Sequence, residues 1–278
     1  TVTAQTNFGN GYPERNIQTG GFSYKYDKCD MHSNPEAIAA QETYLRDLVK
    51  HTNPYTGLAY KDDPSIVGFE INNEPCHSGT KEEVKAYINR MLKSMSKAGN
   101  RKPVFYNVSQ NGYVAEAYYA TTVQGTTYQW YPIGLGSGQT QQGNFLPYVD
   151  RYDIPFAGKV KEFNKKARMI YEFDPADIMY SYMYPAMVRT FRTAGFQWIT
   201  QFAYDPIDLA FANTEYQTHF LNLAYTPNKA ISMKIAAEAA RSLKRGESYG
   251  SYPQDTIFGN GFRFSYAEDL SELNNGEK

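Results

Sequence analysis

Strand-like and helix-like stretches alternate along almost the whole chain, and this alternation restricts the fold more than any other feature. Thr1 to Phe8 reads as a strand from its β-branched residues and alternation, stopped by Gly9-Asn10-Gly11-Tyr12-Pro13. Asn34 followed by Pro35 is the start signal of a helix from about Glu36 to His51. A second strand opens at Ser65. Its apolar residues Ile66, Val67, Phe69 and Ile71 predict cover on both faces, and it ends at Asn73-Glu74-Pro75. Thr80 caps a helix from Lys81 to about Ala98, with Val84, Tyr87, Ile88, Met91, Leu92 and Met95 on one face. Four further strands are expected at Pro103 to Ser109, Thr126 to Tyr131, Ala167 to Glu172 and Phe196 to Tyr204. Helices are expected at Gly112 to Thr121, Phe156 to Lys166, Ser181 to Ala194 and Pro227 to Arg245. The tail beyond Gly246 contains an extended stretch from Thr256 to Tyr266.

Six consecutive strand–helix units predict an α/β fold with a parallel sheet and right-handed crossovers. A (β/α)8 TIM barrel and an open doubly wound sheet both fit that order. The second lacks its usual mark. Gly9-Asn10-Gly11 is not followed by a helix, and Gly134-Leu135-Gly136-Ser137-Gly138 is too short for the dinucleotide fingerprint. The latter is no nucleophile elbow either, since Leu135 stands where the first glycine belongs. Long loops follow the strands, on the face where a barrel carries its chemistry.

Composition narrows the function classes. With 28 basic against 29 acidic residues the net charge is -1, which gives no electrostatic case for nucleic acid or an anionic membrane surface. No apolar run approaches the length of a transmembrane helix. The opening residues lack the basic and apolar regions of a signal peptide, as a mature chain would. The anomaly is aromatic: 25 Tyr and 16 Phe against 2 Trp. A Tyr-rich core accounts for part of this. A wet, aromatic-lined cleft accounts for the rest, because a Tyr offers a stacking face and a hydroxyl together, which suits sugar rings. Cys29 and Cys76 make neither a disulfide framework nor a zinc set; one bridge is open to them, and free thiols are the expectation.

Two glutamates end two of the strands, Glu74 and Glu172, three units apart. Across the mouth of a barrel they would supply the two carboxyls of glycoside hydrolysis, one protonating the leaving oxygen and one attacking the anomeric carbon. A gap of about 5–5.5 Å between them means retention, and a wider one inversion. Glu70, inside the same strand as Glu74, serves as a control: it faces a helix or the barrel interior.

The segment from Thr56 to Pro75, and above all Ile66-Val67-Gly68-Phe69-Glu70-Ile71-Asn72-Asn73-Glu74-Pro75, resembles the acid/base segment of clan A glycoside hydrolases. It is most similar to family 5, and within it to the endo-β-1,4-mannanases. The resemblance implies a retaining glycoside hydrolase that cleaves β-linked glycans, mannan or its oligomers, by double displacement without a cofactor or metal. It makes Glu74 the general acid/base and Glu172 the nucleophile. It makes Asn73 the ligand of the sugar 2-hydroxyl and Tyr131 the hydrogen-bond donor to the nucleophile. Trp198 or Phe202 becomes the stacking platform. Gln129, a candidate substrate-binding residue, stands where the family commonly has a His, a departure that bears on how the neighbouring acid/base is tuned and on which substrates fit.

In that family the Asn-Glu pair ends the fourth strand, so Thr1 to Phe8 counts as strand three. The resemblance therefore implies that the first two βα units lie outside this sequence, in a longer protein or a separate polypeptide; a genuine six-unit fold is the third option. Residues 1–246 are expected to form the N-terminally incomplete barrel and 247–278 a C-terminal extension that starts a β domain. The family also implies a secreted, periplasmic or cell-surface location, and a partner that is an oligo- or polysaccharide.

Other residues have plainer readings. His77 sits near the expected cleft, as a substrate contact or a loop histidine. His32, His51 and His219 show no metal-ligand spacing. Tyr12, Tyr24 and Tyr26 are candidate cleft residues, and Glu14 and Arg15 a local pair. Asp174, Asp177, Asp205 and Asp208 follow strands and are expected to be solvated. Asn107-Val108-Ser109 matches a glycosylation acceptor, but within a predicted strand. Two other classes remain: a carbohydrate-binding barrel without competent catalysis, and an unrelated α/β enzyme in which the glutamates coincide by chance.

Overall fold

Local start signals fix the long helices. The structure is a computed structural model that describes residues 2–4, 21–108, 114–134, 140–150, 152–154, 156–208 and 221–276. Most of the first long loop, with Tyr12, Glu14 and Arg15, and also His219 lie outside the described residues. After strand β1 (Val2–Thr3) and a short helix α1 (Phe22–Lys25), helix α2 runs Pro35–Lys50. The Asn34 side chain accepts from the Glu36 and Ala37 N–H groups, and Pro35 has no N–H to leave unsatisfied. Strand β2 (Phe69–Glu70) leads to helix α3 (Lys81–Lys97), which begins with a full capping box between Thr80 and Glu83. Both helices bury one apolar stripe: Ile38, Leu45 and Val49 on α2, and Val84, Ile88, Met91 and Met95 on α3. Each such fully buried aliphatic side chain contributes roughly 1.5–3 kcal/mol.

Next come β3 (Val104–Asn107), α4 (Ala115–Tyr119), β4 (Gly125–Trp130), α5 (Leu146–Val149), β5 (Ala167–Phe173), α6 (Met183–Thr193), β6 (Trp198–Ile199) and α7 (Pro227–Ser242). Strands β7 (Ile257–Phe258), β8 (Phe262–Ser265) and β9 (Leu270–Leu273) form a separate antiparallel sheet. The first six strands follow one another in chain order within a single sheet, β1-β2-β3-β4-β5-β6. A doubly wound sheet reverses its strand order at a switch point. No reversal occurs here, so the fold is a partial (β/α)8 barrel with six parallel strands.

The chain divides into two compact units, Thr1–Thr127 with Pro155–Ala167, and Tyr128–Ile154 with Arg168–Lys278. In the first, β1–β2, β2–β3 and β3–β4 pair parallel. A Cβ at Gly125 would run into the Phe105 ring and the Ala167 carbonyl oxygen, so only glycine opens β4 there. In the second, β5 and β6 pair in parallel register, Met169 opposite Trp198 and Ile170 opposite Ile199. The small antiparallel sheet packs on α6 and α7 within this unit. Buried Arg189 joins them: it pairs with Asp150, donates to the Asp255 carbonyl, and lies 5.2 Å and 4.9 Å from the Phe258 and Phe264 ring centres.

Several expectations fail for local reasons. The helix expected at Phe156 to Lys166 is a set of turns with one 3-10 turn, Phe163–Lys165. Phe156 and Gly158 both have positive φ, 74° and 76°, which a right-handed helix excludes. The ladder-paired part of the second strand is only Phe69–Glu70. Asp63 organises a turn before it, accepting from the Ser65 N–H, and Val67 is 52% exposed. Unbroken burial runs only from Gly68 to Asn72. Of the expected strand Phe196 to Tyr204, only Trp198–Ile199 is regular strand. Among the described residues, no helix is long and apolar enough to cross a membrane.

Candidate active site

The chain leaves β2 through a sharp turn at Glu74. Phe69, Glu70, Ile71 and Asn72 are buried, whereas Asn73 and Glu74 are half-buried. Glu74 has a φ of 47°, in the left-handed region that a side chain occupies at a cost of roughly 1–3 kcal/mol. Its N–H donates to Asn107 Oδ1 at 3.0 Å, in place of a ladder partner. Its carboxylate reaches Lys28 Nζ at 3.4 Å through Oε2. Cys29 and Cys76 flank that contact and form a disulfide, with their Cα atoms 4.7 Å apart. The expectation of free thiols is thereby corrected: the two cysteines lie 47 residues apart in sequence, and the fold brings their loops together.

Below Glu74 the first unit is polar but almost fully paired. Glu70 is completely buried and accepts from Thr3 Oγ1 at 3.1 Å and from Thr127 Oγ1. Thr127 lies on β4, two strands from β2, so this bond crosses β3. Such a chord is open on the concave face of a twisted sheet, and Glu70 therefore points to the barrel interior. Asn107 is also completely buried, which removes it as a glycosylation acceptor in the folded chain.

His77 is 5% exposed, with Nε2 2.7 Å from Tyr106 Oη. Its ring centre is 4.3 Å from that of His32, and His32 Nε2 lies 3.1 Å from Asn72 Nδ2. Tyr87 Oη donates to Gln41 Oε1 at 2.6 Å in the same cluster. Burial lowers the His32 pKa to about 4 and the His77 pKa to about 2, the neighbouring His32 adding to the effect on His77. A cavity of about 260 Å³ opens beside them, lined among others by His32, His77, Glu83, Tyr87 and Arg90.

The second unit positions Glu172. Strand alternation decides which side chains meet it. Tyr128 and Trp130 turn toward α6 and its following loop, with ring centres 5.3 Å from Phe196 and Phe191 respectively. Phe173 does the same, 5.2 Å from Phe191. Gln129, Tyr131 and Glu172 consequently share the opposite face. Gln129 Nε2 donates to Glu172 Oε2 at 2.9 Å, and Tyr131 Oη donates to the same oxygen at 2.8 Å. Both donors converge on Oε2, so the carboxylate is held in one rotation and Oε1 is the oxygen they leave unengaged.

Register separates the two platform candidates. Trp198 stands opposite Met169, three residues before Glu172, or roughly 10 Å down the strand at 3.3 Å per residue. It is half exposed, and its Nε1 donates to Thr200 Oγ1. The Phe202 N–H donates to the Phe173 carbonyl, which puts Phe202 at the level of Glu172, and its ring lies edge-on to Tyr131 at 6.4 Å.

The expected solvation of Asp174 and Asp177 is wrong: they are 0% and 1% exposed. Asp174 accepts from Tyr184 Oη at 2.6 Å, Gln201 Nε2 at 3.1 Å and the Ala176 N–H at 2.8 Å. Burial raises its pKa against the pull of Lys229, and burial likewise lowers the pKa of Lys229. Apart from the Ala176 N–H, these partners come from α6, α7 and the segment after β6, and nothing local to Asp174 announces them. The residues that sequence reasoning missed are Lys28 and Asn107. A lone amide at the end of an otherwise apolar and aromatic strand was the available signal for Asn107.

No family model matches the chain. A stretch of 64 residues is 31% identical to mannan endo-1,4-beta-mannosidase 3 of Arabidopsis thaliana, covering 22% of this chain and only 16% of that protein's length. The endo-1,4-beta-mannanase of Rhizomucor miehei superposes with a TM-score of 0.59 at 18% identity, over 86% of this chain and 71% of that one. The endo-beta-1,4-mannanase of Thermotoga petrophila superposes with a TM-score of 0.62 at 14% identity, over 98% of this chain and 69% of that one. A glycoside hydrolase family 5 mannosidase from Rhizomucor miehei gives 0.56 at 13% identity, over 77% and 63%. The chain resembles family 5 mannanases and has their fold, spanning a part of their barrel.

Proposed function

We propose that this chain is the catalytic barrel region of a retaining glycoside hydrolase acting on β-linked glycans of the mannan type. The observation that carries the reading is the setting of Glu172: a strand-end carboxylate with two side-chain donors on one oxygen, in a fold that also ends a strand at Asn73-Glu74-Pro75. In the proposed cycle Glu172 Oε1 attacks the anomeric carbon as the glycosidic bond breaks. Glu74 gives its proton to the departing oxygen, leaving a covalent glycosyl-enzyme. Glu74 then takes a proton from water, and that water displaces Glu172 from the sugar with net retention.

Asn73 is assigned to the 2-hydroxyl of the sugar, and Phe202 to its apolar face. Tyr131 and Gln129 hold the nucleophile, Gln129 as a neutral donor. Trp198 and His77 are assigned to outlying substrate contacts at most, given the register of the one and the burial of the other. Residues 1–246 carry the barrel and 247–278 an extension. The disulfide fits an oxidising compartment and hence a secreted, periplasmic or cell-surface site of polysaccharide degradation.

A second reading, a carbohydrate-binding barrel without catalysis, draws support from Gln129, an amide on Glu172 where the family commonly has a His. One panel of β-mannans and β-glucans decides between them. The first reading expects new reducing ends, with product lengths giving endo or exo action, and their loss in Glu172→Ala. Binding with equal, negligible release by wild type and variant sinks it in favour of the second.

A further inference from the structure

We propose that Glu70, Thr127 and Asn107 form a buried relay that fixes the position of Glu74, an inference that rests on reading Glu74 as the acid/base. All three are completely buried. Polar groups are left in such a place only when each is paired, since a buried donor or acceptor without a partner loses its hydrogen bond to water and gains nothing in return. Their hydrogen bonds run in one direction. A carboxylate accepts, so the Thr127 hydroxyl gives its single hydrogen to Glu70. Toward Asn107 that hydroxyl can then only accept, and it receives Asn107 Nδ2 at 3.0 Å. The Thr127 carbonyl, another pure acceptor, receives the same amide group at 3.2 Å. These two acceptors settle which end of the Asn107 amide faces β4. Oδ1 is left facing the other way, where it meets the Glu74 N–H at 3.0 Å.

The relay matters because of where it ends. Glu74 occupies a left-handed backbone conformation that its side chain disfavours. Such a residue persists only when its surroundings over-determine it. Asn107 supplies the acceptor for the Glu74 N–H, Thr127 orients Asn107, and Glu70 orients Thr127, with Thr3 Oγ1 on the other carboxylate oxygen. Glu70, Thr127 and Asn107 are thus positioning residues: none is assigned a contact with substrate.

The experiment compares Thr127→Val, which removes the hydroxyl at near-constant volume, with Thr127→Ser, which keeps it. Asn107→Ala serves as the stronger lesion, and circular dichroism confirms folding. Two substrates are used: a β-mannan oligosaccharide, whose leaving group needs a proton, and a dinitrophenyl β-mannoside, whose leaving group does not. The relay predicts that Thr127→Val loses at least about 10-fold, and Asn107→Ala about 100-fold, in kcat/KM on the oligosaccharide. On the dinitrophenyl substrate kcat/KM stays within about 3-fold of wild type, and azide restores turnover by standing in for the base-activated water. Thr127→Ser behaves as wild type. Equal losses on both substrates, or no difference between Thr127→Val and Thr127→Ser, overturn the proposal. Should wild type cleave neither substrate, the enzymatic reading falls separately, and hydrogen exchange at the Glu74 amide judges the relay. Faster exchange in Thr127→Val than in Thr127→Ser supports it; equal rates overturn it.

Discussion

Glu74 and Glu172 are held in opposite ways. Glu74 is fixed through its backbone: a left-handed turn, an N–H on Asn107, a disulfide two residues on. Its carboxylate pairs with Lys28 at 3.4 Å, and its side chain is 36% exposed. Glu172 sits in regular strand and is fixed through its carboxylate, with Gln129 and Tyr131 on one oxygen. In the proposed cycle Glu74 exchanges a proton with the leaving oxygen and then with water, and its backbone sets where that exchange takes place. A group that must attack one carbon needs a fixed head. The units around them differ in kind as well. The first buries a neutral cluster of His32, His77, Asn72 and Tyr87, and the second buries the charges of Asp174, Lys229 and Arg189.

The largest expected effect falls on the fixed head. Glu172→Ala is expected to lose about 10⁴-fold or more in reducing-end release from β-mannan, as removal of a nucleophile does. Retained activity would erase the contrast between the two carboxyls. Next comes the clamp on the first side. Replacing Cys29 and Cys76 by Ser opens a loop of 47 residues and should cost about 4 kcal/mol in urea unfolding by loop entropy. Lys229→Met leaves the Asp174 carboxyl buried beside a neutral side chain, with an expected loss of about 3 kcal/mol in the same assay. Unchanged stability would show that Asp174 does not depend on that charge.

Tyr131→Phe removes one donor from Glu172 and should lower kcat roughly 10–100-fold with the fold intact, the worth of a hydrogen bond to a charged group. An unaltered kcat would mean that Gln129 alone holds the carboxylate.

The gentlest test is pH. His32 and His77 have folded pKa values of about 4 and about 2, below the ordinary 6.5, so the unfolded chain binds more protons in between. Their contribution to stability is complete above about pH 6.5 and declines as pH falls toward 4 and below. Asp174 acts in the opposite sense, because burial raises its pKa and protonation relieves a buried charge. Urea midpoints from pH 7 to 4 should fall in wild type and fall less in His77→Gln. A flat profile would contradict the buried neutral cluster.

The sequence was legible where the determinants are local or periodic. Asn34-Pro35 and Thr80 with Glu83 announced α2 and α3, because caps act within four residues. The strand-helix alternation carried the barrel, the strand ends singled out Glu74 and Glu172, and the family resemblance added Tyr131 beside Glu172. What failed depended on distant partners. The bridge between Cys29 and Cys76 needs two loops brought together by the sheet. Asp174 reads as a loop acid because Tyr184 and Lys229 arrive from other helices. Trp198 and Phe202 could not be ranked without the register of β6 against β5. The false helix after Pro155 was a propensity reading overridden by left-handed Phe156 and Gly158.

The central claim is that Glu172 attacks and Glu74 carries the proton. Trapping with a 2-deoxy-2-fluoro β-mannoside bearing a dinitrophenyl leaving group tests it most directly, because the fluorine slows release of the glycosyl-enzyme. Peptide mass spectrometry after proteolysis should find one labelled peptide, with the sugar esterified to Glu172, and Glu74→Ala should still take up the label. A label on any other residue, or ongoing hydrolysis of β-mannan with no covalent label at all, would contradict the account.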